Sequence, residues 1–199
     1  MKKFKTYNIP LIGNIRVLNL GSYYLHATGG IFGCENEENA IVDILKSHTI
    51  KTNESLGKGN IYALQHDDDI CLCDMTKEDP HIGNLTSSFL TYALYSPTLV
   101  LSRDLKVYQP KLMEVTEPIK GTTNLYDEVR HQGDISLEHL QFITFPVFWN
   151  QNKIQNLEIF KENIRVLEQE FKEVPIKDIF TGKTLTTEQL EKQIKKISK

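Results

Sequence analysis

Two polar residues of this 199-residue chain stand at the edges of strand-like stretches. His26 closes the apolar stretch in YYLHAT, and Glu128 opens the strand-like EVRHQ. A fixed carboxylate can stabilise positive charge developing on a substrate, and an imidazole can hold a hydroxyl by a hydrogen bond. Asp127 and Glu138 are the acids nearest to Glu128, while Arg130 and His131 could contact an acidic acceptor or face solvent.

Other chemistry is less well supported by spacing. Cys71 and Cys73, with His66, would offer zinc ligands, and a Cys-x-Cys in a strand points both side chains to one face. A closed zinc site needs a second pair of ligands, so these cysteines read as small buried hydrophobes. Asp67, Asp68 and Asp69 lack the alternation, glycine and terminal glutamate of a calcium loop and read as a solvated turn. His26-Ala27-Thr28 matches the His-x-Thr of two-histidine phosphodiesterases only once, and no second such motif exists. Glycine-rich phosphate loops and a Gly-x-Ser-x-Gly elbow are missing, and aromatic residues do not interleave with a basic stretch.

The elements that must position these residues follow from periodicity. Ile15 to Leu25 predicts one or two strands, and AIVDILKSH predicts a helix with Ile41, Ile44, Leu45 and His48 on its inward face. Asn36 or Asn39 would cap that helix. IYALQ, ICLCDM, TLVLS and LQFITFPVFW read as strands, LKVYQP as a continuation of the sheet, and SSFLTYALYS as a short helix. From Ile154 through Leu157, Phe160, Ile164, Leu167 and Phe171 the step becomes three or four, an amphipathic helix. Thr186 with Gln189 forms a capping-box pattern ahead of a last helix carrying Leu190, Ile194 and Ile197. The expectation is an α+β core over 1–150, with C-terminal helices over 151–199 packed on or beside it.

Composition sets the class. Forty per cent hydrophobic and 25% charged residues describe one globular domain. A formal charge of −3 argues against a surface built mainly for nucleic-acid phosphate. No apolar run reaches the roughly 20 residues of a membrane span. The basic opening MKKFK leads into a run broken by Pro10, Gly13, Asn14, Arg16 and Asn19, unlike a signal peptide. Three cysteines, Cys34, Cys71 and Cys73, make no disulfide framework. The expected setting is a reducing cytoplasm, that of the producing cell or of a target cell reached by delivery.

The order of these pieces carries a resemblance. YYLHATGGIFGCENEENAIVDILKSHTIKTN resembles the N-terminal part of the ADP-ribosyltransferase superfamily: a strand ending in His-x-Thr/Ser, a loop, then a helix of the type x-I-L-x-x-G-x-I. ICLCDM stands where that superfamily has its next core strand, and TLVLSRDLKV is similar to its L-V-L-D-x-x-L strand and turn. EVRHQGDISLEHLQFI resembles the late catalytic strand, with its glutamate and a following G-x-I-x-x-E-x-I-x-x-I pattern. The resemblance spans about Tyr23 to Phe145. Here Ser47-His48 replaces the usual glycine, and Cys71-Leu72-Cys73 stands where arginine-type members carry Ser-Thr-Ser.

The resemblance implies a split β-sheet core around an NAD cleft, with flanking helices and a helical C-terminal tail. It implies transfer of ADP-ribose from NAD⁺, as substrate, to a macromolecular acceptor, as in bacterial toxins and effectors. Glu128 would stabilise the oxocarbenium-like transition state, and His26, supported by Thr28, would anchor NAD. The tyrosine of the middle motif would be Tyr92 or Tyr95, with Tyr62 and Tyr108 behind them. A protein acceptor is slightly favoured over nucleic acid on the mild acidity of the chain, and the further basic residues that RNA 2′-phosphotransferase members use are not mapped onto this sequence. A nucleotide- or partner-binding module without turnover and an NAD glycohydrolase are the alternatives.

Overall fold

The run TLVL at 98–101 is apolar or β-branched throughout, and in the computed structural model it is a strand buried at every position. Such an unbroken run suits a strand covered on both faces. The structure describes residues 3–9, 13–27, 48–50, 69–76, 98–109, 128–145 and 165–197. The expected helix over 87–96, the expected helix over 40–48 apart from His48, which lies in a turn, the caps Asn36 and Asn39, and the strand IYALQ lie outside them.

The strands in chain order are β1 (Phe4–Ile9), β2 (Gly13–Leu18), β3 (Tyr24–Ala27), β4 (Thr49–Ile50), β5 (Asp69–Asp74), β6 (Thr98–Leu101), β7 (Glu128–Gln132), β8 (Ile135–Ser136), β9 (Leu140–Phe145) and β10 (Ile176–Asp178). Six of them form one sheet in the order β10-β9-β6-β3-β5-β7. Tyr108 extends its β7 edge by a single bridge to Arg130. All neighbours are antiparallel except β9 and β10, so the sheet is mixed. Among the described residues the fold is mainly β, built on this mixed sheet, with two short helices.

Alternating residues send two apolar clusters to opposite faces. Ile70, Leu72, Leu99, Val129, Ile143 and Ile176 belong to one cluster. Leu25, Cys73, Val100 and Phe142 belong to the other, with Val17 and Leu18 of β2 packed over them. Each fully buried Leu or Ile contributes roughly 1.5–3 kcal/mol.

The strand reading from Ile15 holds for the end of β2, but periodicity does not predict the β1–β2 hairpin: Gly13, Asn14 and Arg16, read as breaks in a leader-like run, are strand residues of β2. Gly13 follows Pro10 and holds φ +89°, a left-handed conformation that favours glycine. The guanidinium of Arg16 lies 4.4 Å from the centre of the Phe4 ring across the hairpin. Leu18 N donates to Ile179 O at 2.7 Å, fastening the hairpin to the chain after β10.

The C-terminal region is not purely helical: β10 joins the sheet, parallel to β9. Parallel neighbours require a long crossover, usually helical, and the helical residues 165–170 (α1) lie in that connection. Leu167, on the predicted apolar stripe, is buried in the first cluster, and Phe171 packs against it. Ile154, Leu157, Phe160 and Ile164 of the stripe lie outside the described residues. Helix α2 (Thr187–Ile197) begins where its capping box predicts. Gln189 N donates to Thr186 Oγ1 at 3.3 Å while Thr186 N donates to Gln189 Oε1 at 3.0 Å. Among the described residues no helix is long and apolar enough to cross a membrane.

Candidate functional site

β3 and β5 pair at Tyr24↔Asp74 and Leu25↔Cys73 and then part. Past that point β3 stays with β6, through His26↔Leu99 and Ala27↔Thr98. β5 stays with β7, from Cys73↔Glu128 to Asp69↔Gln132. His26 is thus the first residue beyond the seam on one side. Glu128, at the start of β7, shares the row of Leu25 and Cys73 on the other. Two strand spacings of about 4.8 Å put the backbones of Leu25 and Glu128 roughly 10 Å apart.

The register also separates the two. Glu128 aligns with Cys73, a member of the second cluster, whereas His26 pairs with Leu99 of the first. Within a continuous sheet these rows face opposite ways. His26 is buried, at 6% exposure. Burial suits an imidazole that orients a water-excluding ligand, and it suits a core histidine equally. Thr28, Tyr92, Tyr95 and Tyr62 lie outside the described residues, as do Asp127 and His66. Tyr108, the remaining tyrosine considered for the middle motif, sits across β7 from the seam.

The residues after Glu128 do not face solvent freely. Arg130 is 1% exposed, among the largest fully buried side chains, and its main chain exchanges two 2.9 Å hydrogen bonds with Tyr108. The Tyr108 hydroxyl donates to Asp69 Oδ2. Burial, then this hydrogen bond and the Asp69 charge, push the Tyr108 phenol up, while Arg130 pulls it back. His131 sets Nδ1 2.7 Å from the Lys106 carbonyl oxygen and Nε2 3.3 Å from that of Asp134. Both residues therefore serve the β7 edge, where backbone groups take up the imidazole. Glu138 is exposed on the 3-10 turn Leu137–His139.

A second polar cluster escaped periodicity altogether. Asp74 ends β5, and its Oδ1 accepts from Arg103 Nη1 at 2.6 Å, from Thr76 Oγ1 at 2.6 Å and from Thr76 N at 2.9 Å. The Arg103 guanidinium lies 4.3 Å over the Tyr24 ring. Burial pushes the Asp74 carboxyl up, but the Thr76 hydrogen bonds and then Arg103 outweigh it and hold the group below its usual range. Residues 29 positions apart give no local pattern from which this pairing could be read.

Metal chemistry draws no support from side-chain clustering: among the described residues, no group of three or more His, Cys, Asp or Glu could hold an ion. The Cys73 thiol is buried, 3.7 Å from Met75 Sδ. The seam instead offers a carboxylate-bearing strand and a histidine-bearing strand on either side of a break in pairing. No protein-family model, curated protein or solved structure matches the chain.

Proposed function

We propose that the chain transfers ADP-ribose from NAD⁺ to a macromolecular acceptor, in the manner of the ADP-ribosyltransferase superfamily it resembles. The observation that carries this reading is the parting of β3 and β5 immediately before His26, with Glu128 leading the strand next to β5. The two strands belong to one six-stranded sheet, and their parting at this point is the feature in line with the split-core architecture the resemblance implies. Glu128 still lies in the row joined through Leu25 and Cys73, so the register puts it and His26 in rows of opposite facing.

The chemistry is that of a glycosidic bond broken toward an oxocarbenium-like state. Glu128 accepts a hydrogen bond from the ribose adjoining nicotinamide and stabilises the positive charge as nicotinamide leaves. His26 holds a ribose hydroxyl and keeps the dinucleotide in register for attack. The acceptor supplies the nucleophile. Protein remains slightly favoured over nucleic acid, on the mild acidity of the whole chain. The rival is a binding module that retains the cleft without turnover.

The test follows nicotinamide release from NAD⁺ by wild type and Glu128→Gln, with and without cell extract. Release that rises with extract and drops at least about 100-fold in the variant is expected, the usual scale for loss of a group acting in the transition state. Release without an acceptor identifies a glycohydrolase. Absence of release from folded protein overturns the transferase reading in favour of the binding module.

A further inference from the structure

A cavity of about 240 Å³ opens on the second-cluster face, at the end of β3 opposite His26. Its walls include Leu18, Tyr23 and Phe142, and its charged lining residues are Lys3 and Lys177. No carboxylate is among the described residues that line it. Tyr23 and Phe142 meet edge to face, with ring centres 5.3 Å apart and planes at 83°, so the aromatic wall is rigid.

Both lysines are anchored through their main chains. Lys3 O accepts from Asn19 N at 2.9 Å, and Lys177 lies in β10, bridged to Thr184. The Lys177 ammonium sits 4.3 Å from the centre of the Phe142 ring, which steadies it at the cavity wall. The nearest acid in sequence, Asp178, is engaged elsewhere: its Oδ1 accepts from Phe180 N at 2.7 Å and from Thr181 N at 3.1 Å. Gly182 completes the wall at φ +66°, where a Cβ would come within 2.9 Å of Leu18 Cδ2. Two ammonium groups without a lining counter-charge concentrate anions, and the apolar aromatic wall selects for a ring.

We propose that this cavity binds a ring-bearing phosphate of mononucleotide size, either free or as one unit of a nucleic-acid strand. It is smaller than the roughly 300–1,000 Å³ of sites for drug-sized ligands, which disfavours an entire dinucleotide. The site is separate from the seam and does not rest on the NAD reading.

Calorimetric titration of the full chain with AMP, adenosine, inorganic phosphate and a short single-stranded oligonucleotide tests it. AMP binds with a Kd below about 1 mM, while adenosine and phosphate each bind at least about tenfold more weakly. A chain carrying Lys3→Gln and Lys177→Gln loses AMP affinity at least about tenfold with its thermal midpoint unchanged, and Glu128→Gln does not. Oligonucleotide binding lost in the same lysine variant identifies a strand as the source, and AMP binding alone identifies the free nucleotide. Unchanged affinity in the lysine variant, equal binding of AMP and phosphate, or no binding by folded wild type up to about 10 mM overturns the proposal.

Discussion

Leu25 and Cys73 form the last pair joining β3 to β5, and His26 is the next residue along β3. One side of that seam follows β6 and the other follows β7. The proposed NAD site depends on this single break, so neighbouring residues on β3 have separable roles.

Leu25→Ala, at a position with 0% exposure, is expected to lower unfolding free energy by about 2–5 kcal/mol through the cavity it leaves. His26→Ala is expected to raise KM for NAD⁺ about tenfold, which is about 1.4 kcal/mol of lost binding. Urea unfolding and steady-state nicotinamide release measure the two effects. A His26 variant that loses stability with unchanged KM identifies a core histidine.

Asp74 makes the end of β5 sensitive to acid. Its carboxyl is held below its ordinary value in the folded chain, so the unfolded chain binds the proton more readily. This contribution is complete above the unfolded pKa and is lost as pH falls through the lower, folded one. The urea midpoint is expected to fall as pH drops from about 5 to about 3, with a shallower fall in Asp74→Asn. Removing the carboxylate altogether in Asp74→Ala is expected to cost roughly 1–3 kcal/mol at neutral pH, since Thr76 and Arg103 lose their acceptor.

His48 stands where the resembling family usually has glycine, and it adopts φ +59°. Its spacing predicts an inward helical position, but it is exposed in a turn, its carbonyl accepting from Leu137 N at 3.2 Å. A left-handed conformation costs a non-glycine residue about 1–2 kcal/mol. His48→Gly is expected to raise stability by up to about 1 kcal/mol, reduced by loss of the contact with the Phe171 ring 5.2 Å away. His48→Ile is expected to lower it, because a β-branched residue tolerates that φ poorly. Thermal unfolding of the pair measures the sign.

Thr186→Ala is expected to destabilise the chain by about 1 kcal/mol, the usual worth of a helix N-cap. Far-UV circular dichroism should show the loss confined to helical signal when the effect is local to α2. Gln189→Ala should give a smaller loss, because only the Thr186 N–H then loses its side-chain acceptor.

The sequence by itself determined what rests on neighbours along the chain. TLVL as a buried strand, ICLCD and EVRHQ as strands and the Thr186–Gln189 box all follow from contacts within a few residues, which periodicity and capping chemistry encode. Tertiary structure alone decided what rests on distant pairing. β10 became a strand because a crossover returned it beside β9, and the hairpin is fastened to the chain after β10 by Leu18 N donating to Ile179 O. Arg130 is buried in β7, along which Tyr108 forms a bridge from 22 positions earlier. The point at which β3 leaves β5 belongs to the same class. It is fixed by which strand offers each backbone group a hydrogen-bond partner, and residues that meet from 48 positions apart leave no trace in local spacing.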